Sequence, residues 1–133
     1  MAGPKVPDSE KLTLNLGYVD LGRVDLLVSE GFYSNRSDFI RTAVRRLLDE
    51  HADNVRESIT RQTLELGLRE FTRKDLEAVR STGAKLDIKV VGLARIASDV
   101  SPDLALASIA AIEVLGALQA PADVKAALAE RIR

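Results

Sequence analysis

Cysteine is absent from this 133-residue chain, so neither a disulfide framework nor a thiolate metal site can form. Tryptophan is also absent and histidine occurs once, which leaves little for metal binding or for stacking on bases. No apolar run approaches the roughly 20 residues that a membrane-spanning helix needs. An excess of one sign of charge is missing too: 19 Lys and Arg face 20 Asp and Glu. Residues 1–51 hold seven basic and eight acidic side chains, so no broad basic field steers this part of the chain toward DNA. No catalytic set can be assembled either. His51 stands in a polar stretch, and there is no glycine-rich phosphate loop and no Ser–His–Asp candidate. The expectation is a protein that is not an enzyme, with no cofactor, no bound metal and no membrane partner. Residues 1–9 are short, polar and proline-containing, without an apolar signal core, and read as a flexible arm on a cytoplasmic protein.

What is present begins at Lys11. Leu12, Leu14 and Leu16 alternate with Lys11, Thr13 and Asn15, the period-two pattern of a half-buried strand that ends at Gly17. A lone strand of that kind leaves every backbone pairing group open. The nearest partner is the same strand of a second copy. Two such strands would turn the leucines to one side and the short polar side chains to the other, in a ribbon of the right width for the DNA major groove. Next, Leu21, Val24, Leu27 and Val28 recur at helical spacing over Val19 to Glu30. Gly31 then fits the position after a helix, where positive φ costs glycine little. Ser34 is expected to cap a second helix, with Phe39, Ile40, Ala43, Val44, Leu47 and Leu48 on one broad apolar face. Arg41, Arg45 and Arg46 are expected on a solvated face, pairing with Asp38, Asp49 or Glu50.

The order of strand, helix, tight turn and helix resembles the ribbon-helix-helix family of DNA-binding proteins. The resemblance lies in EKLTLNLGYVDLGRVDLLVSEGFYSNRSDFIRTAVRRLL, the first third of the chain. Its most specific part, Gly31 followed by SNRSDFIRTAVRRLL, is similar to the family's usual G-x-x-S-R-S-E-x-I-R-x-A-x-R run. The family often has proline or a polar cap after the strand. This chain has Gly17-Tyr18 there, so a looser ribbon end is expected, with Tyr18 placed to pack over it.

The resemblance implies an intertwined homodimer on double-stranded DNA. By position, Lys11, Thr13 and Asn15 would read bases, lysine suiting guanine acceptors, asparagine adenine, and threonine either partner. Ser34, Asn35, Arg36 and Ser37, at the start of the second helix, would hold a backbone phosphate. The shared dimer core would comprise Leu12, Leu14, Leu16, Val24, Leu27, Phe39, Ile40, Val44 and Leu47.

Beyond residues 52–62, read as a helix or linker with Val55, Ile59, Thr63 and Leu66 on one side, the chain repeats itself. Residues 87–100 align without a gap on residues 111–124, matching Ile88 to Ile112, Val90 to Val114 and Gly92 to Gly116. A weaker copy over residues 64–76 matches Gly67 to Gly92 and Phe71 to Ile96. Each copy reads as a strand through a glycine, then a cap, then a short helix: Thr72 with Asp75, Ser101 with Pro102, and Pro121 open the helices. Asp75, Asp99 and Asp123 recur at equivalent places, and helix-capping or first-turn roles explain them better than a metal ladder. The fold class is therefore α+β. A ribbon-helix-helix domain at residues 10–51 precedes a three-unit solenoid-like β/α domain at residues 63–133, with stacked parallel strands. The last helix is expected to cap one open edge of that stack, leaving the other available for higher assembly. The leading expectation is a dimeric transcriptional regulator, a repressor, with the C-terminal half for oligomerisation or sensing. Two alternatives stand beside it: an antitoxin-like module that binds a promoter and a protein toxin, and an assembly protein that does not bind DNA.

Overall fold

A computed structural model of the chain describes residues 9–133. All of the expected arm but Ser9 lies outside the described residues. Two compact units divide between Glu57 and Ser58.

In the first unit, α1 spans Tyr18–Ser29 and α2 spans Arg36–Glu50. The turn between them depends on Gly31, whose φ of 85° carries a left-handed backbone. Its amide donates to the Val28 carbonyl at 3.1 Å and the Phe32 amide to Leu27 at 3.0 Å, so the last carbonyls of α1 are satisfied. The cap of α2 falls one residue later than expected. Asn35, not Ser34, caps the helix: its side-chain oxygen accepts the Asp38 amide at 2.8 Å. Asp38 in turn accepts the Ser34 amide at 2.9 Å. An extended Asn35 backbone (φ −166°) places a carboxamide where the serine was expected, and asparagine is an equally good capping residue.

The period-two segment over Lys11–Leu16 forms no regular structure in one copy. A strand exists only as part of a ladder, and none of the described residues pairs with this segment. Its leucines accordingly stand in solvent, with Leu12 83% and Leu14 61% exposed. Tyr18 does not close over the segment's end. It opens α1 and is fully exposed, after an extended Gly17 at the N-cap position.

A third helix, α3, spans Ala52–Gln62 across the division between units. Thr63 and Leu66 do not extend its face as expected. Thr63 adopts φ 56°, which ends the helix, and Leu66 already belongs to a strand.

The second unit runs β1 (Glu65–Phe71), α4 (Arg73–Ser81), β2 (Leu86–Ile96), α5 (Pro102–Ser108), β3 (Ile109–Gln119) and α6 (Ala122–Ala127). Its strands form one parallel sheet in the order β1-β2-β3. The repeat is the register: Gly67 pairs with Gly92 and Gly92 with Gly116, Phe71 with Ile96, Ile88 with Ile112, and Val90 with Val114. The three glycines share φ between 122° and 135°, a region closed to other residues. A Cβ on Gly116 would run into the carbonyl oxygen of Gly92, and one on Gly92 into that of Gly67, so glycine is required where these strands stack.

The helix starts follow the sequence closely. Thr72 and Asp75 make a reciprocal capping box, and Ser101 caps α5 with Pro102 at its first position. The Asp99 carboxylate accepts the first amide of α4, from Arg73, at 3.2 Å, tying one repeat to the start of its neighbour's helix. Inward side chains Ile88, Val90, Ala94 and Ile96 of β2 pack with Leu76, Leu104, Val124 and Leu128 into a closed core. The outer edge of β3 is covered in part by the chain's own end, not by α6. Ile132 bridges to Ile112, the Arg133 amide donates to the Ile112 carbonyl at 2.7 Å, and Arg131 donates to the Leu106 and Ile109 carbonyls at 2.7 Å each.

Candidate nucleic-acid interface

Lys11, Thr13 and Asn15 lie on the irregular segment before α1, and all three are exposed. So are Leu12 and Leu14 between them, and Leu16 is the least exposed of the three leucines. Beside the segment run two open grooves of the first unit. Leu14, Asn15, Leu16, Leu21, Val24, Arg36 and Ile40 line one, so Asn15 sits at a groove beside the leucines, and Lys11, Leu12, Ser37, Arg41, Val44 and Arg45 are among those lining the other. Val24 alone of this unit's hydrophobic side chains is buried among the described residues. Leu27, Phe39 and Ile40 are half-buried, and Val44 and Leu47 are exposed. The Phe39 ring meets Tyr33 edge-on with centroids 5.0 Å apart, which fixes it at the base of α2. Of the residues expected in a shared core, Leu12, Leu14, Leu16, Val24, Ile40 and Val44 line these open grooves, and Leu27, Phe39 and Leu47 line neither.

The start of α2 offers Ser34, Asn35, Arg36 and Ser37 together. The amides of Arg36 and Ser37 are the first of the helix and have no carbonyl to bond within it. The Asn35 side chain and the Ser34 amide are already engaged with Asp38. The Arg36 guanidinium is engaged as well. Its Nε and Nη2 donate to the two carboxylate oxygens of Asp25 at 2.7 and 2.8 Å, a two-point bridge from α2 to α1. Hydrogen bonding to Arg36 holds the Asp25 carboxyl below its ordinary range, and the same bond raises the guanidinium. In one copy, then, the Arg36 side chain fixes the angle between helices, and its charge is balanced.

The sequence marks Arg41, Arg45 and Arg46 only as a solvated helix face. The expected pairing of Arg41, Arg45 and Arg46 with Asp38, Asp49 or Glu50 does not occur among the described residues. Arg41 and Arg45 instead line the same groove as Lys11. The signal was available: Ser37, Arg41 and Arg45 follow one another at intervals of four, which stacks them on one side of a helix. A local cluster of positive charge therefore exists inside a unit whose overall charge is near neutral.

Among the described residues, no helix is long and apolar enough to cross a membrane. The family model for ribbon-helix-helix transcriptional regulators matches residues 7–125. That match runs through both units, so the sheet unit is part of the family's pattern, whereas the resemblance visible by eye ended with α2. The chain is also similar to the transcriptional regulator CdrS of Halobacterium salinarum, at 41% identity over 46 residues covering 35% of this chain and 84% of that protein. No solved structure matches the chain significantly.

Proposed function

Since the chain belongs to the ribbon-helix-helix transcriptional regulator family, we propose that it acts as a homodimeric repressor that reads DNA with a ribbon made from two copies of Lys11–Leu16. The observation that carries this reading is the Lys11–Leu16 segment itself, alternately apolar and polar, with both sets of side chains exposed, and lying along an open groove. Pairing two copies antiparallel gives alternate backbone groups their partners and brings Leu12, Leu14 and Leu16 onto the grooves. Lys11, Thr13 and Asn15 are left facing outward into the major groove. A two-fold dimer implies a palindromic operator.

Phosphate positioning falls to the amides of Arg36 and Ser37, with the hydroxyls of Ser34 and Ser37 beside them. Arg41, Arg45 and Lys11 supply the local charge. The Arg36 guanidinium contributes by holding α2 against α1 through Asp25. The C-terminal sheet unit is a short solenoid-like stack serving assembly. Its closed core weighs against the antitoxin-like alternative, in which a tail folds on its toxin.

The test is binding to the DNA upstream of the chain's own gene at several salt concentrations. The parent binds with an affinity that falls steeply with salt, by a log–log slope of about −0.9 for each phosphate neutralised. A Lys11→Ala, Thr13→Ala, Asn15→Ala variant stays dimeric and loses the preference for that DNA over unrelated duplex. A triple variant that keeps the parent's preference overturns the reading.

A further inference from the structure

The sheet of the second unit has two faces, and its helices cover one. Ile88, Val90, Ala94 and Ile96 of β2 point into the core, and the residues between them point the other way. The parallel register sets those outward residues in rows. Leu66, Val91 and Leu115 lie side by side across the three strands, and Leu68, Leu93 and Ala117 form the next row. The outer members are bare, with Leu66 71%, Leu68 60% and Leu115 54% exposed. Parallel sheets occur almost only with both faces covered, so this sheet lacks a layer.

Three observations choose the occupant. First, the rim is neutral: Lys89 and Glu113 bound one end of the apolar rows, and Glu70 and Arg95 the other. Two charges of each sign suit neither a nucleic acid nor a strongly charged peptide, but they suit a copy of the same surface. Second, three strands of this length present on the order of 350 Å² per copy, well below the roughly 800 Å² per partner of a free-standing interface. A protein arriving from solution is not held by so little. A partner already tethered is, because a short linker sustains effective concentrations of about a millimolar. Third, the dimer of the proposed function delivers such a partner, since each sheet unit is joined through α3 to a unit that pairs with its copy. We infer that the outward faces of the two sheets in one dimer pack on each other, sheet on sheet, through Leu66, Leu68, Val91, Leu93 and Leu115. This inference rests on the dimer reading.

The absence of cysteine makes the test clean. Val91→Cys places one thiol at the centre of the face, and Lys125→Cys places one on α6 as a control under the same tether. The full-length chain is treated with a bis-maleimide spanning about 10 Å, the separation of packed sheets, while sedimentation reports its mass. The expected result is a dimer in which Val91→Cys cross-links between copies at least tenfold faster than Lys125→Cys. Adding Leu66→Asp and Leu115→Asp, with the circular dichroism unchanged, brings that rate down to the control. A dimer in which the two thiols cross-link equally overturns the inference and leaves the dimer standing. A tetramer with fast Val91→Cys cross-linking assigns the face to a different dimer and overturns pairing within one. A monomer overturns both readings.

Discussion

The two units of this chain are opposite in closure. In the second, Leu76, Ile88, Val90, Ile112, Val124 and Leu128 reach almost complete burial within one copy. In the first, a leucine-rich segment and two amphipathic helices bury Val24 alone among the described residues. The difference lies in topology. A strand-helix repeat brings each new strand beside the last and covers it with the intervening helix, so a single chain completes its own ladder. The period-two segment ahead of the helix pair has no strand beside it among the described residues. On the proposed reading, the first unit gains its stability from association, where the second gains it from folding.

That contrast can be broken from either side. Gly116→Ala has the largest expected effect. It forces a Cβ onto the Gly92 carbonyl oxygen at a φ of 122°, and should cost the second unit more than about 3 kcal/mol in denaturant unfolding. Leu14→Ala should cost the dimer about 2 kcal/mol per copy through lost burial. Its effect should appear in sedimentation and in unfolding of the first unit, while the transition of the second stays in place. Gly67→Ala, on the edge strand, should cost less than Gly116→Ala, about 1–2 kcal/mol. The backbone is just as unusual there, but nothing stands within 4 Å of the added methyl.

The smallest effect is that of acid on the bridge between α1 and α2. Arg36 holds Asp25 below its ordinary value of 3.8, so the bridge contributes fully above that pH and is lost as pH falls through the folded-state value. Melting of the parent and of Arg36→Gln should differ at neutral pH and converge in acid. High salt should shrink the difference as well, because both side chains are exposed.

Much of this arrangement was legible in the sequence because local chemistry decides it. The glycine alignment predicts the register across three strands, since only glycine tolerates the conformation that the stack repeats. Thr72 with Asp75, Ser101 with Pro102, and Gly31 mark helix ends through hydrogen bonds made within a few residues. What was missed depends on competition or on distance. Ser34 and Asn35 are both capping residues, and only the backbone geometry selects Asn35. Thr63 ends α3 where the apolar spacing alone suggested continuation. The Arg36–Asp25 bridge joins residues on different helices, and a helical wheel of α2 alone points instead to partners on the same helix. Arg41 and Arg45 looked like a solvated face because the groove they line exists only once both helices have packed. At the candidate interface, the alternation of Lys11 to Leu16 was readable. No ladder forms on it among the described residues, and on the proposed reading its partner belongs to another molecule.

The ribbon is therefore the place to test the account, by hydrogen exchange at the amides of residues 11–16 in the full-length chain. With two copies paired, alternate amides of this segment should be protected at concentrations where the protein sediments as a dimer, and protection should disappear on dilution or in Leu14→Asp. Amides that exchange as fast as an open chain at every concentration, in a protein that still sediments as a dimer, would contradict it.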